Sequence, residues 1–134
     1  MPVTITLKRN GGKPMSQIKI GNAHNGNFLV KSRDKNNSVI KETNSEDLNS
    51  LDQKFPLADS AAQLELGIVR WNVKVIKNNG NPDDPYIFTI EIKQDGQGVK
   101  IIDEGVEVDS IVRSGHLNQG VRVRIIRGFV VMEG

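Results

Sequence analysis

Apolar residues recur at every second position through much of this chain, the period of a half-buried β-strand. Val3, Ile5 and Leu7 alternate with Thr4, Thr6 and Lys8. Ile18 and Ile20 point inward in a short strand over Gln17–Ile20, and Phe28 and Val30 oppose Lys31 and Arg33. A brief strand is expected over Ser38–Glu42. Between these runs stand Asn10-Gly11-Gly12-Lys13-Pro14, Gly21–Gly26 and Asp34-Lys35-Asn36-Asn37. Glycine admits positive φ and proline withholds a ladder donor, so such clusters end strands.

The strongest pattern lies between Gln63 and Gln94. Two long strands, Gln63–Lys77 and Tyr86–Gln94, are expected there as a pair joined by the loop Asn78–Pro85. In the first, Leu64, Leu66 and Ile68 hold one parity, while Val69, Trp71, Val73 and Val75 hold the other. Side chains change face with each residue, so the apolar face switches between Ile68 and Val69. A bulge near Gly67, or a bend that carries the strand from one sheet to the other, accounts for the switch. Tyr86, Phe88, Ile90 and Ile92 continue the core.

Asp95-Gly96 signals a tight hairpin into Val99–Ile102. Gly105 opens a strand over Val106–Val112, and Ser114–Gly120 reads as a loop. The last strand alternates at Val121, Val123 and Ile125 against Arg122 and Arg124, and Gly128 suggests a bulge or corner before Phe129–Met132. One segment departs from period two. Thr43-x-x-Glu46 has the form of a capping box, with Leu48 and Leu51 on one face, which predicts a short helix around residues 45–53.

Roughly eight to ten short strands, with turn signals about every 8–12 residues, predict an all-β fold. The expected architecture is an antiparallel β-sandwich, jelly-roll or Ig-like. The 134 residues suit one domain over 1–134. Such a chain buries about two-thirds of its unfolded surface and needs no staple. It has no cysteine, which excludes a disulfide framework, a thiolate metal site and a cysteine nucleophile.

Charge changes the picture through its distribution. The formal net charge is only +2. Residues 1–33 carry Lys8, Arg9, Lys13, Lys19, Lys31 and Arg33 without an acid, and residues 110–132 carry Arg113, Arg122, Arg124 and Arg127 without one. Acids dominate between: Glu42, Glu46, Asp47, Asp52, Asp59 and Glu65 face one lysine, Lys54, and Asp83, Asp84, Glu91, Asp95, Asp103, Glu104, Glu107 and Asp109 outweigh Lys93 and Lys100. Such segregation shapes the field that a partner meets.

Candidate chemistry is sparse. His24 and His116 each fall in an expected loop with no acid or second histidine at ligand spacing. Asn81, Asp83 and Asp84, and separately Asp34-x-Asn36-x-Ser38, offer oxygen donors of the type calcium takes. Neither completes an EF-hand, since Val39 stands where the second would need glycine. Turn chemistry explains both. No nucleophile elbow, phosphate loop or dinucleotide fingerprint occurs. The expectation is therefore no catalytic residue, no metal and no cofactor.

Two binding surfaces are expected instead. Lys8, Arg122 and Arg124 are placed outward on the first and last strands, where pairing of the termini makes one basic face. Asn25, Asn27, Asn81 and Asp83 are the loop donors and acceptors of a lectin-like alternative, with or without calcium. The leading expectation is a non-enzymatic module that docks with a protein partner or with itself through opposite charge blocks. Carbohydrate is the second partner class. Nucleic acid is disfavoured because exposed aromatics for base stacking are not evident. No apolar run approaches the roughly 20 residues of a transmembrane helix. The N-terminus has no basic-then-apolar leader pattern, which makes the cytoplasm the default compartment, or the exterior if a leader precedes it.

Overall fold

Alternation becomes strand nearly everywhere in the computed structural model, which describes residues 2–21, 25–45, 54–76, 84–117 and 121–133. In chain order the strands are β1 (Val3–Lys8), β2 (Met15–Ile20), β3 (Asn25–Arg33), β4 (Val39–Asn44) and β5 (Phe55–Pro56). A 3-10 turn (Ala61–Leu64) precedes β6 (Ile68–Ile76) and β7 (Asp84–Gln94). Then come β8 (Gln97–Gly98), β9 (Lys100–Asp103), β10 (Val106–Val108), β11 (Ile111–Leu117) and β12 (Val121–Glu133).

These strands form two sheets. The larger has seven strands in the order β10-β9-β1-β12-β6-β3-β4. The smaller runs β11-β7-β2-β5, with β8 paired to β7. The fold is all-β, as expected, but the larger sheet is mixed. β1 lies parallel to β12, from Val3 opposite Gly128 to Lys8 opposite Glu133. The terminal strands are neighbours, as the sequence suggests, and they run the same way.

One apolar cluster draws side chains from both sheets. Val3, Ile5, Leu7, Phe28, Val30, Val69, Trp71, Val73, Val75 and Val130 enter it from the larger sheet, and Ile18, Tyr86, Phe88, Ile90, Ile92 and Ile111 from the smaller. Trp71 is fully buried, and its Nε1–H donates to Ser16 Oγ on β2 at 3.3 Å. Burying an indole N–H without an acceptor is costly, so this bond lets the largest side chain cross the layer. Gln94 does similar work at one end. Its amide accepts from Lys8 N–H at 2.8 Å and donates to Lys8 and Gly12 carbonyls at 3.0 Å, tying the β1–β2 turn to β7.

Several expectations are corrected. The pair from Gln63 to Gln94 is not a hairpin, because β6 belongs to the larger sheet and β7 to the smaller. The expected bulge near Gly67 does form, since Leu66 N–H donates to Val130 O and Val130 N–H donates to Gly67 O, setting two residues against one with Leu66 at φ +57°; the 3-10 turn precedes it and β6 starts only at Ile68. No strand there serves both sheets. Likewise Val106–Val112 divides into β10 and β11, one in each sheet. Thr43 lies in β4 and does not cap a helix; the rest of the expected helix, residues 46–53, falls outside the described residues. The Asp95-Gly96 hairpin forms as expected, with φ of +53° and +76°.

Gly128 makes no corner. β12 runs unbroken past it, and a Cβ there would stand 2.6 Å from Ile5 Cδ1 and 2.9 Å from Trp71 Cζ3. The glycine is required because Trp71 and Ile5 pack over the bare backbone.

Candidate functional site

Gly128 and Val130 face inward, and this sets the parity of all thirteen residues of β12. Ile126 and Val130 are buried, whereas Val121, Val123, Ile125, Phe129 and Val131 face outward. This reverses the expected orientation of the first half of the strand. Arg122 and Arg124 take the inward parity, near the end of the sheet. Arg124 Nη1 donates to Tyr86 Oη at 2.9 Å, joining the two sheets, and Arg122 is exposed.

The expected basic face therefore does not form. Lys8 pairs with Glu133, nine residues along β12 from Arg124, or about 30 Å at strand spacing. Lys8 also has the outward parity, opposite to that of Arg124. It lines a depression of about 170 Å³ shared with Asp95, Lys100 and Glu133. Of the polar candidates, Asn25 and Asn27 lie on β3, and Asn27 is aligned with Lys74. Asn81 and Asp83 fall outside the described residues. Among the described residues, Lys8, the Arg122–Arg124 pair and Asn27 lie apart.

What the registers do bring together is a different set. Across β3, β6 and β12, Lys31 stands opposite Arg70 and Arg70 opposite Arg127. All three share the outer face, forming a row of cations over three adjacent strands. Val130 N–H donates to Gly67 O, so even-numbered residues of β12 turn their main-chain groups toward β6. Arg127 and Arg70 are thus a non-hydrogen-bonded pair, the arrangement in which side chains approach most closely. Like charges directly opposite each other destabilise a sheet. Lys31 has Glu42 Oε2 at 3.9 Å, but Arg70 and Arg127 form no ion pair among the described residues.

The row is set in an apolar field. Among the described residues ten large apolar side chains are exposed, and five of them are on β12, all on this face. Ile125 lies opposite Asn72, Val123 opposite Lys74 and Phe129 opposite Ile68. Phe129 is the one exposed aromatic residue; Phe28 and Phe55 are buried and stacked at 4.9 Å, and Trp71, Tyr86 and Phe88 are buried.

A contrasting surface lies at the edge of the same sheet. β9 and β10 are joined by Glu104-Gly105, with φ of +55° and +80°, a two-residue turn. Asp103 turns inward and makes a bidentate bridge with Arg113 on β11, at 2.6 and 3.0 Å. Its carboxylate raises the Arg113 pKa, chiefly through this hydrogen bond. Glu104, Glu107 and Asp109 are exposed and form no ion pair among the described residues. A groove of about 490 Å³ runs between this hairpin, β11 and Arg124.

Sequence reasoning missed the cation row because its members are distant in the chain and meet only through strand register. The available signal was the polar parity of Lys31 and Arg70. Arg127 could be added only after Gly128 was recognised as a packing position. Among the described residues no cluster of three or more His, Asp or Glu side chains is placed to hold a metal, and no helix is long and apolar enough to cross a membrane. Comparisons with protein-family models, curated proteins and solved structures found no match.

Proposed function

We propose that this chain is a non-enzymatic β-sandwich module that docks through segregated basic and acidic surfaces, with another copy of itself or with a protein partner. The observation that carries the proposal is that Arg70 and Arg127 stand opposite each other within an exposed apolar face, with no ion pair among the described residues. In the isolated chain two guanidinium groups face each other at a cost. An acidic partner would remove that cost, and the apolar residues around the pair would gain from being covered. Glu104, Glu107 and Asp109 supply the complementary charge on this same chain.

Sedimentation velocity over a range of concentrations and salt tests the proposal. Association should be present at about 0.05 M salt and much weaker at about 0.5 M, where the Debye length falls below about 5 Å. A monomer at every concentration and salt, together with no salt-sensitive protein partner, would overturn it.

A further inference from the structure

β12 is paired with β6 over Val121–Phe129, but with β1 only from Gly128 to Glu133. β1 joins it from Gly128 onward, and among the described residues no strand lies beside Val121–Ile125 on that flank. Even-numbered residues direct their main-chain groups to β6, so Val121, Val123 and Ile125 direct theirs to the open flank. Their side chains are 43–49% exposed. A hydrophobic edge with free donors and acceptors is a template for another strand.

The chain carries a complementary edge of its own. In the β9–β10 hairpin Asp103 and Val106 flank the two-residue turn, so the next residue, Glu107, turns its main-chain groups away from β9. β10 is the terminal strand of its sheet. Glu107 shares the outer face, being paired with Ile102 beside Thr4.

We infer that the open flank of β12 accepts β10 of a second copy by strand addition. This rests on the docking role proposed above and specifies how it is carried out. A pair between Glu107 and an odd-numbered residue of β12 puts both side chains on one outer face. The carboxylate of the second copy then lies among Val123, Ile125 and Arg127, extending the row of cations with an anion. The two edges are different surfaces, so the contact is heterologous and its repetition gives a ring or a filament.

Val123→Pro tests this directly. Proline removes the N–H that faces the open flank and leaves the ladder to β6 intact. It should weaken self-association roughly tenfold or more, as expected for losing main-chain bonds. Circular dichroism reports whether it folds. Ile125→Lys is the second variant, because a lysine on an edge opposes strand addition while adding positive charge. It should also weaken association, whereas docking by charge alone would be strengthened.

Glu107→Lys and Arg127→Glu should each weaken association, and mixing the two should restore it, because each variant retains one intact edge. Salt-sensitive association that survives both Val123→Pro and Ile125→Lys would overturn strand addition and leave the docking role standing. A wild-type chain that never associates would remove this inference, and without any protein partner it would remove the docking role as well.

Discussion

Arg70 and Arg127 face each other across the β6–β12 ladder with no counter-ion among the described residues. The pair makes the chain less stable alone than its sheet would allow, and this links stability to docking. Arg70→Thr should raise the stability of the monomer by about 0.2–1 kcal/mol at low salt, and the gain should shrink as salt is added. The same variant should associate more weakly. Urea unfolding and sedimentation measure the two effects; a variant that is less stable and associates normally would show that Arg70 has a purely structural role.

Gly128 sets the parity of β12 through the close approach of Trp71 and Ile5. Gly128→Val should cost about 1–3 kcal/mol, since the core has no room for the added carbons without repacking. Trp71→Ala should cost about 3–5 kcal/mol, because it opens a cavity and leaves Ser16 without its donor. Chemical denaturation checks both. Wild-type midpoints in either variant would mean that the layer packs differently around residue 71.

These two positions show how much of the fold could be read from the chain. Period-two alternation places β1, β3, β7 and the Asp95-Gly96 turn correctly, because each rests on local chemistry: buried parity on one side, positive φ on the other. It fails where the evidence is non-local. The parity of Val121–Ile125 looks apolar-in from the strand alone, yet it is set by Gly128 fitting beneath a tryptophan 57 positions earlier in the chain. The leucines before Gly67 resemble a strand, but the chain makes a 3-10 turn and then takes a positive φ at Leu66. The candidate site was hardly legible, since a row across three strands exists only once their registers are known.

Gln94 holds the β1–β2 turn with three hydrogen bonds from a buried amide. Gln94→Leu keeps the size and removes the bonding groups, leaving main-chain atoms of Lys8 and Gly12 without partners. The expected loss is about 2–4 kcal/mol. Hydrogen exchange gives the sharper readout: the Lys8 amide should exchange much faster in the variant, while amides at the centre of β7 change only with global stability. Unchanged exchange at Lys8 would contradict this role.

The Arg113–Asp103 bridge joins β11 to β9, with side chains only 14% and 10% exposed. Arg113→Met alone should cost about 3 kcal/mol, mostly from the carboxylate left nearly buried without its partner. The double variant Arg113→Met with Asp103→Leu should recover most of that loss. Because the Arg113 pKa is raised, its contribution is complete below the ordinary arginine range and is lost only as pH rises through the higher folded value. Stability from this arginine should therefore not vary between pH 6 and about pH 10. A double variant that loses the sum of the two single losses would show that the bridge is not coupled.

The open flank of β12 is the feature on which the account turns, and residue-resolved hydrogen exchange tests it most directly. In dilute, high-salt solution the amides of Arg122, Arg124 and Ile126 should be protected by β6, while those of Val121, Val123 and Ile125 exchange rapidly. Under associating conditions the second set should gain protection and the first should change little. Protection of Val121, Val123 and Ile125 already in the monomer would show that the flank is covered, and would contradict the account.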